Sequence, residues 1–295
     1  MYTVLAMRRL CVLLSLVAVV AAGCASSEPA PPRPAQAEEP AAPPAPNEPL
    51  PRSAGRFAAR LTEVSRELRG AIDAWLATEP GARELPPREL QLLALYQQRS
   101  YRRLARGRKF QRAVLPRLPG WLRSEARAMS NALHGLFRLS PPARSTRRFR
   151  TGRALPPGTL LRFYRKGERR FDVQWQVLAA VNLVETVYNR LRNTSTAGAQ
   201  GPMQFIPSTW RAYGMGGDID DPHDAILGAA NYLRASGALH DLRRALFAYN
   251  HSTLYVDAVL AYARVMRRDV RAFYGFHAWQ VFVRTPDGYR RLTNP

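Results

Sequence analysis

The sequence predicts a mainly α-helical protein with one short β-hairpin at its C-terminal end. Three observations carry that prediction. Apolar residues recur at spacings of three and four over long stretches, alternation with period two appears only near Ala278, and proline gathers chiefly between the periodic blocks. At 295 residues, 46% of them hydrophobic, the chain can bury a sizeable core.

Residues 1–23 read as an export signal. Arg8 and Arg9 make a basic start, and Leu10 to Ala22 is an apolar run of 13, too short to span a bilayer. Ala21-Ala22-Gly23-Cys24 has the form of a lipoprotein processing site, where small residues precede a cysteine whose sulfur receives a diacylglycerol. An ordinary cleavage site beside a chance cysteine is the other reading. Cys11 leaves with the signal, so no disulfide is expected. The expectation is a lipid anchor at Cys24, in an outer membrane or on the outer face of a plasma membrane. Residues 24–53 read as an extended tether, because Pro29 to Pro51 holds ten of the 24 prolines.

Residues 54–139 read as a basic helical module. Phe57, Leu61, Val64, Leu68, Ile72 and Trp75 form one stripe, stopped by Pro80-Gly81. A second helix runs from Pro87 to Arg106 with Leu90, Leu93, Leu95, Tyr96 and Leu104 inward. A third segment breaks around Pro116 and Pro119 and resumes at Trp121, carrying Ala126, Met129, Leu133, Leu136 and Phe137. His134 stands alone and reads as a packing or surface residue. Residues 140–159, basic and proline-rich, are either a linker or a strap lying on the body that follows. Helices return at Leu160, and residues 160–274 form a second helical block. In residues 275–295, Trp279, Val281 and Val283 alternate before Thr285-Pro286-Asp287-Gly288, which predicts a hairpin over Ala278 to Leu292.

The formal charge is +22, and it is unevenly placed. Between Gln97 and Arg170 there are 21 Lys and Arg against only Glu125 and Glu168. Such a field favours anionic partners. For an exported chain these are envelope polymers or lipid headgroups rather than nucleic acid, although a compositional taste for arginine accounts for part of the excess. No zinc-ligand spacing, phosphate loop or calcium loop is present. Asp218, Asp220, Asp221 and Asp224 cluster, but without the glycine and glutamate of a calcium loop. Asp221 reads instead as the cap of a helix starting at Pro222, with Asp224 in its first turn. Neither metal nor cofactor is expected, and the chain is expected to act as a monomer.

One carboxylate is out of place. In the helix expected over Gln174 to Leu191, Val177, Leu178, Val181, Val184 and Tyr188 form a buried stripe, and Glu185 lies on it. A buried carboxylate is costly when ionised, so it either pairs with a cation such as Arg190 or Arg192 or holds its proton. A proton held near neutrality can be given to a leaving oxygen. After Glu185 comes a loop whose Gly198, Ala199, Gly201 and Pro202 let backbone approach a ligand, while Ser195, Thr196, Gln200 and Gln204 offer neutral donors and acceptors suited to sugars. Tyr249-Asn250, far along the chain, can close over the glutamate.

Glu185-Thr186, then GAQGPMQF at 198–205, then AYN at 248–250 resemble the three motifs of lytic transglycosylases of the lysozyme-like superfamily. NLVET, TSTAGAQGPMQFIPSTW and DIDDPHDAILGAANYL are most similar to exported actinobacterial members. The resemblance covers about Leu160 to Ala263 and implies a lysozyme-like catalytic domain. It implies that Glu185 is the sole catalytic acid and base, and that Thr186 keeps a hydroxyl near it. Gly201, Met203 and Gln204 would form a sugar-facing turn, with Ser195 in its loop. Tyr249 would orient Glu185 or substrate, with Asn250 beside it. Gln200 departs from the small residue usual at that place. The implied substrate is the peptidoglycan glycan strand, cut between N-acetylmuramic acid and N-acetylglucosamine to leave 1,6-anhydro ends. A muramidase using Asp218, Asp220 or Asp221 to activate water, and a wall-binding scaffold without activity, are the alternatives.

Overall fold

The stripe from Phe57 to Trp75 folds as α1 (Ala54–Leu76), and all six of its residues are buried. In the computed structural model, which describes residues 42–293, α2 (Arg88–Arg106), α3 (Arg108–Val114) and α4 (Gly120–Leu139) follow. The expected signal, Cys24 and the start of the tether lie outside the described residues. Breaks fall at Gly107 and around Pro116 and Pro119, where the missing amide hydrogens end the helical ladder. His134 packs, with Nδ1 3.0 Å from the Ala105 carbonyl.

The second block contains α5 (Pro157–Phe171), α6 (Trp175–Thr186), α7 (Pro207–Tyr213), α8 (Pro222–Ala235), α9 (Leu242–Tyr249), α10 (Thr253–Arg268) and α11 (Arg271–His277). Prolines open α5, α7 and α8, where their fixed φ suits the first turn and no hydrogen bond is lost. Asp221 caps α8, its side chain accepting from the Asp224 amide as expected. Strands β1 (Phe282–Thr285) and β2 (Gly288–Arg291) pair antiparallel, with Thr285 opposite Gly288 across a two-residue turn.

The two helical blocks share one core. Helix α10 packs against both α4 and α6, so the first block forms the back wall of the second. At the α10–α11 junction Asp269 pairs with Arg69 and with Arg271, and Arg271 also reaches Asp73 at 2.9 Å. These half-exposed pairs orient α1 more than they stabilise it. Among the described residues no helix is long and apolar enough to cross a membrane.

Three expectations change, and one choice left open by the sequence is decided. The helix carrying Glu185 ends at Thr186, not Leu191. Val187, Tyr188 and Asn189 all take left-handed φ (52°, 60° and 64°), and the Val187 and Tyr188 amides return to the Leu183 and Asn182 carbonyls. Burying Tyr188 completely holds this disfavoured turn. The strands of the hairpin are shorter than Ala278 to Leu292, because Ala278 to Val281 continue from α11 as connecting chain, with Ala278, Trp279 and Val281 buried. The last part of the tether is not free: Arg291 donates to the Pro46 carbonyl and the Asn47 side chain, and Leu50 packs on the core. Residues 148–154 resolve as a strap rather than a free linker. Thr151 bridges Leu191, with Gly152 N to Arg190 O at 2.9 Å and Arg192 N to Arg150 O at 3.0 Å.

Candidate active site

Ending α6 at Thr186 puts Glu185 in the last helical turn, partly exposed at the wall of a cavity of about 300 Å³. Leu133 and Leu136 of α4, Tyr262 of α10, and Phe282, Val283 and Arg284 of the hairpin close the other sides. Glu185 Oε1 accepts a 2.7 Å hydrogen bond from the Tyr255 hydroxyl. Burial pushes its carboxyl up to about 7, against the Tyr255 bond, which favours the ionised form. The two arginines that could have neutralised it turn elsewhere. Arg190 donates to the Val187 carbonyl, and Arg192 to the Asn189 and Arg153 carbonyls. Among the described residues no ion pair includes Glu185.

The three distant motifs interlock through backbone carbonyls. Thr186, 1% exposed, donates to the Pro202 carbonyl at 2.7 Å and accepts from the Asn189 amide, so its hydroxyl faces inward rather than toward a ligand. Asn182 joins it, donating to the same carbonyl at 2.9 Å and accepting from Tyr164 at 2.6 Å. From the other side Tyr249 donates to the Met203 carbonyl at 2.7 Å, and Met203 itself is buried. Tyr249 does not hydrogen-bond Glu185. It stacks on Tyr255, rings 6.5 Å apart and 5° from parallel, and so braces the residue that does. Gly201 has φ +72°, and a Cβ there would overlap the Ile219 carbonyl oxygen. Only glycine fits.

The remaining expected residues lie beside this centre. Ser195 Oγ accepts from the Ala197 and Ala199 amides and shapes its own loop. Gln200 and Phe205 close the turn with a pair of 2.9 Å backbone bonds. Gln204, at φ 50°, donates to the Asn193 and Gly201 carbonyls. Gly201, Gln200 and Gln204 line a second cavity, of about 770 Å³, which does not include Glu185. Asn250 is exposed at the end of α9. Ligand atoms of Asp221, His223 and Asp224 lie within 4.8 Å of one another, but they serve the α8 cap and its His223 contact.

Residues 162–268 match the family model of the transglycosylase SLT domain. The chain carries a transglycosylase SLT domain. Domains of this family are lytic transglycosylases acting on peptidoglycan, and they are lysozyme-like in fold. No curated protein and no solved structure matches the chain. The match spans α10 and stops before α11, so α2, α4 and the hairpin, which complete the Glu185 cavity, lie outside the matched residues.

Two residues of the site were not anticipated. Tyr255 stands in the first turn of α10, and a tyrosine whose ring is buried needs a partner for its hydroxyl. Asn182 is an amide within the apolar run of α6, and that is its available signal. Tyr255→Phe removes the bond that favours the ionised carboxylate, so the Glu185 pKa rises further and the alkaline limb of the pH–activity profile moves up. An unmoved limb would separate Tyr255 from the titration of Glu185.

Proposed function

We propose that the SLT domain cleaves the β-1,4 bond between N-acetylmuramic acid and N-acetylglucosamine without water, using Glu185 as acid and then as base. The observation that supports this is the carboxyl raised to about 7 in a cavity whose lining holds no second carboxylate. Retaining and inverting hydrolases ordinarily use a carboxylate pair. Here Glu185 gives its proton to the glycosidic oxygen as the bond to the muramyl C1 breaks. The substrate's own N-acetyl group stabilises the cationic centre. Ionised Glu185 then takes the C6 hydroxyl proton while that oxygen bonds to C1, closing the 1,6-anhydro ring. Gly201, Met203 and Gln204 shape the turn beside the site, Tyr249 braces Tyr255, and Asn250 and Ser195 lie toward the glycan. The family's substrate gives the enzyme its place at the cell envelope. Cys24 carries the lipid that holds it at a membrane, and the basic region draws it to anionic envelope polymers.

Mass spectrometry of digested peptidoglycan tests the reaction. Products one water lighter than hydrolytic ones, with anhydromuramyl ends, are expected. Reducing ends would instead assign a muramidase, and intact glycan bound but uncut would assign a scaffold.

A further inference from the structure

The strap and the chain after α6 run antiparallel, which sets Arg150 opposite Arg192 and Gly152 opposite Arg190. Like charges facing each other across a strand pair are unfavourable. Asn193 nevertheless clamps the strap, accepting from the Arg150 amide and donating to the Arg148 carbonyl. A Cβ at Gly152 would overlap the Arg192 guanidinium, so this glycine is what lets the arginine lie across the strap.

These residues divide two adjoining cavities that share Thr151 and Arg153. One, of about 580 Å³, is lined by Arg88, Arg153, Arg190 and Arg291 without a carboxylate. The other is the cavity of Gly201 and Gln204, to which Arg150 and Arg192 contribute with one acid, Asp220. Among the described residues none of these six arginines forms a salt bridge. Arg190, Arg192, Arg150 and Arg291 spend some of their donors on carbonyls or Asn47, which fixes the guanidiniums in place. Burial draws Arg190 down to about 10. Six guanidiniums, four of them held by these hydrogen bonds, line the two cavities beside one carboxylate and make an anion site.

Continuity with the sugar-facing turn says which anion. A groove made of two adjoining arginine-lined cavities, one of which includes the turn that the resemblance assigns to the sugar, suits acidic groups carried on the glycan itself. We propose that it receives the acidic peptide arms of the peptidoglycan strand, guanidinium to carboxylate. The identity of the anion rests on the peptidoglycan reading, whereas the groove does not depend on Glu185.

The test is binding of a sugar-free stem tetrapeptide with free carboxylates to the full chain, read by titration calorimetry. Binding is expected to weaken steeply with salt. Arg88→Gln/Arg153→Gln, at two exposed positions, is expected to weaken it about tenfold or more while the melting temperature holds. The same peptide with its carboxylates amidated should not bind. No binding at low salt, equal binding of the amidated peptide, or an unaffected double variant each overturns the proposal. Binding of a polyglycerol phosphate in place of the peptide overturns it too, and assigns the groove to a phosphate polymer. Peptide binding alongside a failed digest would remove the reaction and leave the groove standing.

Discussion

Glu185→Gln lowers turnover of peptidoglycan by about 10³-fold, within the usual range for loss of a general acid, and makes the protein more stable above pH 7. The two effects have one cause. The carboxyl has a native pKa of about 7, against 4.5 for a free glutamate side chain. Native Glu185 therefore binds its proton more tightly than the unfolded chain does. Its contribution is fully present below about 4.5 and is lost as pH rises through about 7. That loss amounts to a few kcal/mol, roughly 3 for a shift of this size. A glutamine of the same shape cannot ionise, so the variant gains that amount at pH 8 and little at pH 4. Chemical denaturation at both pH values measures the difference, and digestion kinetics measures turnover. A variant equally destabilised at both would mean that Glu185 is an ordinary hydrogen-bonding residue.

The second large effect is structural. Gly201→Ala is expected to cost about 3 to 5 kcal/mol, because it joins left-handed strain to overlap with the Ile219 carbonyl oxygen. Gly198→Ala is the control: φ is +84°, but nothing lies within 4 Å of the added methyl. It should cost only the left-handed term, about 1 to 2 kcal/mol. Thermal unfolding of the pair separates the two contributions. Equal losses would show that the backbone approach at Ile219 is not what requires glycine at 201.

What could be read in advance was whatever depends on neighbours along the chain. The stripe of α1, the proline breaks, the Asp221 cap and the placing of Glu185 on an apolar face all follow from periodicity or capping. What escaped depends on contacts between distant segments. Tyr255 reaches Glu185 across 70 positions, because α10 crosses α6. The end of α6 comes from burying Tyr188 beneath α11, where its ring meets Phe273 and His277. No local pattern announces that three successive non-glycine residues will take left-handed φ. The motif resemblance assigns Gln204 to the sugar, but no local pattern places its turn in a cavity separate from that of Glu185.

Arg291 meets Pro46 across 245 positions. A ribosome releases the first of these segments long before the last. Helix α4 likewise leaves the exit tunnel with an apolar face whose partner, α10, has yet to be made. Closure of the Glu185 site therefore waits until late in synthesis, since Glu185 gains its tyrosine only when α10 docks. A nascent chain stalled before residue 253 has the acid but not the wall behind it.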